Sequence, residues 1–393
     1  MKILMICEFF NEKLEYQENL LVKYYRKFGH EVTVIASTFD SVFDYYTDRH
    51  DSSWPSRTYS YAGAKIHKLR YSFNVLNRFR RYTSISAIIA ESTPDLIYIH
   101  DIMLNIPEVV AYKKRNPHCA VILDYHADYS NSGKNWISLK ILHGVLRKHY
   151  LDMVLPHLSK IFIAWPACGD FLKEVYGVEE SKLELLPLGA DTDLGQAVRE
   201  SGARERVRQT LGINSEDLLI FSGGKFTPAK RTELLMQAFI ETNNPRLHLV
   251  LVGSATDDDR LYMEKLKMLG RKSARIHLVG WATTTGIYEY LAASDFAVFP
   301  ASQSVLWQHA MSMGLPLVVG DIGGQDFSYL NKYSSVKILR GAAISVPGVR
   351  RELEDLALND NLRNRMAAGA RAATAEFLDW NHLVGRTLRF CRV

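Results

Sequence analysis

No apolar run in the chain approaches the ~20 consecutive residues that a membrane-spanning helix requires. Any membrane role is therefore expected to be peripheral. Lys2 is followed only by Ile3 to Ile6 before Cys7 and Glu8, too short for the core of a signal peptide, and a cytoplasmic protein is the expectation. Cysteine is scarce: Cys7, Cys119, Cys168 and Cys391 are scattered without metal-ligand spacing, which argues against a disulfide framework or a zinc site and for reduced thiols. GxxxxGK[ST] is absent and no GxGxxG follows the first apolar run, so neither a Walker nucleotidase nor an NAD enzyme is indicated. Charge of one sign is also lacking. Lys+Arg 48 against Asp+Glu 43 gives +5, and nothing argues for nucleic acid. The densest basic groups are Arg78, Arg80 and Arg81, then Lys113, Lys114 and Arg115. A solvated face is the ordinary reading of such groups, with peripheral contact to anionic lipid headgroups or a lipid-linked acceptor as the alternative.

What the chain does have is length and alternation. Its 393 residues exceed a usual single core, and 47% hydrophobic with 23% charged residues is the balance of a globular protein. Lys2 to Phe9 reads as a strand buried on both faces, Gln17 to Phe28 as an amphipathic helix stopped by Gly29, and Glu31 to Ser37 as a second strand. That is a βαβ unit with a right-handed crossover. Residues 39 to 61 read as a long loop, 65 to 70 as a strand, 82 to 92 as a helix, 95 to 100 as a strand ending in His100 and Asp101, and 106 to 116 as a helix. Strand 120 to 125 leads into His126, Ala127, Asp128 and Tyr129; helix 139 to 156, strand 160 to 165, helix 169 to 175 and a short strand 183 to 186 follow. Asp191 to Arg204, polar and rich in glycine and charge, reads as a linker. Strands at 218 to 221, 247 to 252, 276 to 279, 295 to 299 and 315 to 319, with helices at 231 to 241, 257 to 269, 284 to 293 and 304 to 313, repeat the alternation. The fold class is α/β: two Rossmann-like doubly wound domains, 1–190 and 191 onward, facing each other across a cleft between their strand ends.

The second half is organised around Leu218 to Phe239, LLIFSGGKFTPAKRTELLMQAF. An apolar strand breaks at Ser222, Gly223 and Gly224, and a helical pattern restarts at Arg231. Lys225 and Lys230 lie between the glycines and the helix. Free N–H groups and the helix dipole favour an anion at such a terminus, glycines allow close approach to backbone, and two ammonium groups suit a diphosphate. Two solvated lysines in an ordinary loop is the plain alternative.

Several blocks, in order, resemble the retaining glycosyltransferases of family 4, which have GT-B architecture. GGKFTPAKRTELLMQAF is similar to the family's Gly-Arg, Lys-Gly, helix block, with Lys225 at the arginine position and Lys230 at the lysine position. Leu249 to Gly253 resembles LxxxGxG, VGWATTTGIYEYLAASDFAVFPAS resembles the block ending Ala-Asp-x-x-x-x-Pro, and HAMSMGLPLVV, His309 to Val319, resembles Glu-Ala-Met-Ala-x-Gly-x-Pro-Val-Val. MKILMICEFF and GHEVTVIAS fit as well, so the resemblance covers nearly the whole chain.

The resemblance implies retaining transfer of a sugar from a nucleotide-diphosphate sugar to an acceptor hydroxyl of a glycan, lipid-linked saccharide or natural-product aglycone, with no metal and no cofactor. The N-terminal domain would bind the acceptor, residues 191–372 the donor, and residues 373–393, within them the helix Asp379 to Phe390, would return to the N-terminal domain. Gly223, Gly224, Lys225 and Lys230 would hold the diphosphate, and His126 would contact donor or acceptor near the transferred sugar, with a structural histidine hydrogen-bonded in the cleft wall as the alternative. Catalytic roles fall to His126, Lys225 and Lys230. Trp281 follows the third strand of the second half, where the family places its nucleobase pocket, with packing as the preferred reading. Asp101 and Asp128 are candidates for acceptor hydroxyls, with caps or turns as the alternative; Tyr16 and Gln17 are acceptor-binding candidates beside them.

The chain departs from the family at Glu-x7-Glu. His309 stands at the second glutamate, Ala301 eight residues before it, and no carboxylate lies between Asp295 and Asp321. An imidazole still hydrogen-bonds a ribose hydroxyl, with a helix residue that merely packs as the alternative for His309; the sugar contacts would fall to Gln303 and Ser304 or to backbone N–H groups there, with a helix cap as the alternative for Ser304. The family's Gly-Gly after the first strand is replaced by NEKLEYQEN. A degenerate member that binds nucleotide sugar or a partner without turnover is the alternative function, and an epimerase of GT-B shape a third. Trp54, Trp136 and Trp307 are sugar-lining or core aromatics, core being the safer assignment.

Overall fold

The computed structural model describes residues 1–12, 16–39, 55–75, 79–301, 303–323, 326 and 328–391. Trp54, Arg78 and most of the segment read as a loop between 39 and 61 lie outside the described residues. The chain divides into two compact units, Met1–Pro187 with Trp380–Val393, and Leu188–Asp379.

The first unit is built on β1 (Lys2–Ile6), β2 (Glu31–Ser37), β3 (Arg57–Tyr61), β4 (Ala64–Leu69), β5 (Tyr71–Val75), β6 (Phe79–Tyr82), β7 (Leu96–His100), β8 (Ala120–Tyr125), β9 (Lys160–Ile163) and β10 (Leu183–Leu185). Its main sheet runs β10-β9-β8-β7-β1-β2-β4-β3. Every pairing is parallel except the β3–β4 edge, and β5 and β6 form a separate antiparallel pair. Strand order reverses at β1, whose Ile3 is in register with Val32 on one side and Leu96 on the other. In such sheets a ligand settles beyond the carboxyl ends at that reversal. The strands read as apolar runs because helices cover both faces: all six residues of β8 are buried. The helix Gln17–Lys27 contributes Leu20, Leu21, Tyr24 and Tyr25 to a core that also takes Trp380, Leu383 and Val384 from the chain's last helix, Trp380–Leu388. Tyr25 Oη and Thr387 Oγ1 lie 2.6 Å apart, and Arg386 donates to a Glu184 carboxylate oxygen at 2.7 Å.

The second unit is a fully parallel sheet in the order β13-β12-β11-β14-β15-β16, from β11 (Leu218–Gly223), β12 (Leu247–Val252), β13 (Ile276–Gly280), β14 (Phe296–Phe299), β15 (Leu317–Asp321) and β16 (Val336–Arg340). Here the reversal falls at β11, between β12 and β14.

Three expectations are corrected. Within the expected loop, RTYSY at 57–61 is an edge strand, its alternating exposure matching the pleat and Thr58 set opposite His67. The helix expected from Tyr82 begins at Ser86, because Tyr82 closes β6 and its hydroxyl donates to the Cys7 carbonyl at 2.5 Å. The stretch 191–204, expected as a linker, holds a helix at Thr192–Glu200 and the start of another at Ala203–Thr210. Asp191 caps the first by accepting from the Leu194 amide at 3.0 Å, and Gly195, which lowered its helical signal, is there for packing: a Cβ on it would stand 2.9 Å from Met313 Sδ. β16 and the helix Val346–Leu358 were not anticipated. All four cysteines are free and buried.

Candidate active site

Two clusters of polar side chains stand at the two reversal points, one in each unit.

In the second unit the loops after β11, β12 and β13 are tied backbone to backbone. Gly224 donates to the Val252 carbonyl at 2.9 Å, Phe226 to that of Ser254 at 2.9 Å, and Gly253 to that of Gly280 at 2.7 Å. Gly253 sits at φ +142°, and a Cβ there would lie 2.0 Å from the Gly224 carbonyl oxygen. The glycines are thus demanded by loop packed on loop, which the sequence did not suggest. The amide of Gly224 is occupied by Val252 rather than open to a phosphate.

Beyond them Pro228–Lys230 makes one tight turn, Arg231 takes a left-handed φ of +49°, and the helix Thr232–Thr242 begins. Lys225 is half-buried one residue past Gly224. The half-buried Lys230 donates through Nζ to the Gln303 carbonyl oxygen at 2.5 Å. No carboxylate pairs with it among the described residues, and burial pushes its ammonium down to about 8. Gln303 therefore meets the site through its main chain. Ser304 Oγ accepts weakly from the Leu306 amide at 3.4 Å, a turn contact, and lies 3.9 Å from where a Gly224 Cβ would be. Lys230, Gln303, Ser304 and Gly224 are brought together.

His309 is placed differently. In the helix Leu306–Ser312 it is buried, its ring 5.3 Å from that of Tyr288, and its Nδ1 has no hydrogen-bond partner among the described residues. Burial lowers it to about 4 against the opposing charge of Asp191, so it is a neutral imidazole at pH 7. Trp281, just past β13, is 62% exposed, an aromatic face with little packed on it. Trp307 is in the core and Trp136 is at the surface.

In the first unit the centre is Asp124, a fully buried carboxylate at the end of β8. Its Oδ2 lies 2.8 Å from His126 Nε2, accepts from Tyr98 Oη at 2.8 Å, and lies 3.4 Å from His100 Nδ1. His100 Nε2 in turn lies 3.3 Å from a Glu18 carboxylate oxygen. Burial alone would raise the Asp124 carboxyl, but His126 and His100 hold it well below the usual carboxylate range. Burial would likewise depress His100, yet Glu18 and Asp124 raise it to about 10. His126 Nε2–H donates to Asp124, which leaves Nδ1 to meet a ligand hydroxyl, as acceptor from the neutral ring and as donor from the protonated one. His100, Asp124 and His126 are also the group, among the described residues, whose ligand atoms lie close enough, within 4.8 Å, to hold a metal ion.

Asp101 and Asp128 are tied within the protein. Asp101, at φ +65°, accepts from the Ile102 amide at 2.7 Å and pairs with Arg147 at 3.6 Å. Asp128 accepts from Ser130 N and Oγ, from Asn131 N, and at 2.7 Å from Trp165 Nε1, the loop-turn role. Tyr16 is exposed at the start of the first helix. Gln17 is only 6% exposed, and both its amide N and O lack a partner among the described residues. Such a pair calls for a ligand or water. Sequence reasoning did not single out Asp124 or Glu18. The signal for Asp124 was available, since one carboxylate inside AVILDY must be paired if that strand is buried.

Comparison with known proteins bears on the fold and the family. The profile of Glycosyltransferase Family 4 matches residues 19–194, and that of Glycosyl transferases group 1 matches residues 216–332. The D-inositol 3-phosphate glycosyltransferase of Xylanimonas cellulosilytica is 25% identical over 214 residues, 52% of this chain and 50% of that protein; the chain spans about half the length of the curated relatives it matches. Anabaena HepE in complex with UDP and glucose has the same fold over 99% of both chains, with a TM-score of 0.67 and 15% identity. So has a structure from E. coli described as trehalose-6-phosphate bound with UDP-2-fluoro glucose, over 100% of this chain and 99% of that one, with a TM-score of 0.70 and 10% identity. With two Rossmann-like α/β domains of GT-B type and both family profiles matched along its length, the chain belongs to glycosyltransferase family 4.

Proposed function

We propose that the protein transfers a sugar, with retention of anomeric configuration, from a nucleotide-diphosphate sugar to an acceptor hydroxyl of a glycan, a lipid-linked saccharide or a natural product. The observation that carries this is Lys230, a cation drawn out of water and paired with a neutral carbonyl rather than a carboxylate. Such a group lacks a counter-ion, and a diphosphate supplies one.

The chemistry then follows from the residues. Lys230 and Lys225 hold the diphosphate and stabilise the charge that grows on it as the glycosidic bond breaks, the part a divalent cation plays elsewhere, so no metal is needed for this step. The departing phosphate oxygen takes the acceptor's proton on the same face of the sugar, and His126, fixed by Asp124, orients sugar hydroxyls. Trp281 offers a surface for the base, and His309 a neutral hydrogen-bonding group in place of a carboxylate. UDP is the first nucleotide to try, because structural neighbours are described with UDP or a UDP-sugar.

A second reading, nucleotide-sugar binding without turnover, is motivated by the missing carboxylates between Asp295 and Asp321. A panel of UDP-, GDP-, ADP- and dTDP-sugars, assayed for slow release of free nucleotide, separates the two. Release from one donor supports transfer, and binding without release from any supports the second reading.

A further inference from the structure

The helical stretch Ser138–Arg147 in the first unit is turned inside out. Its histidine is inside: His143 is fully buried, with Nδ1 2.6 Å from Tyr176 Oη and Nε2 2.9 Å from Ser132 Oγ. Leu139 packs against the core and Leu142 is half-buried, but Ile141, Val145 and Leu146 are outside. Ile137 is 64% exposed and Val145 60%, Ile141 lies between them, and Trp136 just before is 66% exposed. The buried histidine's hydrogen bonds lock the rotation of the helix, so this face is imposed by the packing. Across from it the β5–β6 pair brings Phe73, Val75 and Phe79 to the same place, and together they line an open groove of about 540 Å³. A contiguous apolar patch of this kind marks an interaction surface.

The charge around it tells which. Residues 129–151 contain no Asp or Glu, against Lys134, Lys140, Arg147 and Lys148; residues 71–90 also contain none. Arg147 and Lys148 are paired with Asp101 and Asp152, and Arg80 and Arg81 with Glu8 and Glu108. Lys134 and Lys140 make no ion pair among the described residues, and they bracket Trp136 and Ile137. Glu174 stands at the edge, against Tyr129, but aliphatic side chains around a tryptophan, rimmed by lysines and with no carboxylate in either stretch, is the composition of a face that lies in the headgroup region of an anionic bilayer. A second copy is a poor occupant, because a two-fold contact would set each lysine-rimmed patch against its own like charges.

We propose that the face formed by Trp136, Ile137, Ile141, Val145 and the β5–β6 pair docks the protein on an anionic membrane surface. The inference uses neither Lys230 nor the transfer reading and stands or falls separately from it. The test is flotation of the full chain with vesicles of equal parts phosphatidylglycerol and phosphatidylcholine, and with phosphatidylcholine alone. The chain is expected to float with the anionic vesicles and to be released by salt. Ile141→Asp with Val145→Asp abolishes flotation, whereas Lys134→Gln and Lys140→Gln each weaken it about five-fold. The Trp136 emission shifts to the blue on binding, and Trp136→Phe removes that shift. All these positions are exposed, and an unchanged melting temperature certifies the variants. The proposal is overturned if the chain stays unbound with both vesicles, if the double aspartate variant still floats, or if that variant instead converts a dimer to a monomer in solution.

Discussion

Lys230 reaches Gln303 across the reversal point of the second sheet, an ammonium held at 2.5 Å by a main-chain carbonyl. The contact joins the loop after β11 to the loop after β14, so the same lysine both fastens the strand ends and faces whatever lies beyond them.

Replacing it separates those two roles. On the proposed function, Lys230→Ala removes a charge-assisted hydrogen bond to the diphosphate, worth about 1.5–3 kcal/mol, and UDP affinity by calorimetry is expected to fall by roughly ten- to a hundred-fold. Stability should change little, because a desolvated cation leaves with its single carbonyl contact. An affinity within a factor of two of the parent would sink the diphosphate assignment.

The same lysine sets a pH dependence. Its folded-state value of about 8 lies below the ordinary 10.5, so the unfolded chain binds more protons between those limits. The penalty on folding is present in full below about 8 and is relieved as pH rises toward 10.5. On the proposed function, nucleotide binding runs the other way: it would need the charged form, weaken as pH rises through about 8, and take up protons there. Calorimetry in two buffers of different ionisation enthalpy measures that uptake, and Lys230→Ala abolishes it.

Asp124 supports two imidazoles in a buried site, and Asp124→Asn leaves them without their anion at an expected cost of about 3–5 kcal/mol in urea unfolding. His100 is raised from 6.5 to about 10, so its contribution is complete below 6.5 and lost as pH rises through about 10. Asp124, depressed, contributes above its ordinary range and loses that contribution as pH falls through its folded value. In the Asn variant both slopes should flatten.

Gly253→Ala forces a Cβ to 2.0 Å from the Gly224 carbonyl at φ +142°. The loops must part, at a cost of about 1–3 kcal/mol for the backbone alone. A lower melting temperature together with weaker UDP binding is expected. Lost stability with unchanged binding would detach these glycines from the donor site.

How much of this was legible follows from where polar residues fall. The βα alternation was plain, because strands covered on both faces read as apolar runs bounded by glycine. The helix at Thr192–Glu200 was hidden by Gly195, whose reason lies in Met313, far along the chain. The β5–β6 pair was hidden because its arginines read as solvated, while Arg80 is buried against Glu8. Lys225, Lys230 and His126 were marked by position after a strand. Asp124 and Glu18 gain their meaning only from contacts across three elements, which no local pattern carries.

The final helix has a consequence for biosynthesis. Trp380, Leu383 and Val384 lie in the same interior as Tyr24 and Tyr25, although more than three hundred and fifty residues are translated between them. A nascent chain on the ribosome therefore holds an N-terminal half with a gap in its wall until residues 380–391 emerge. The second half, continuous in sequence, is free to mature first, against the usual vectorial order.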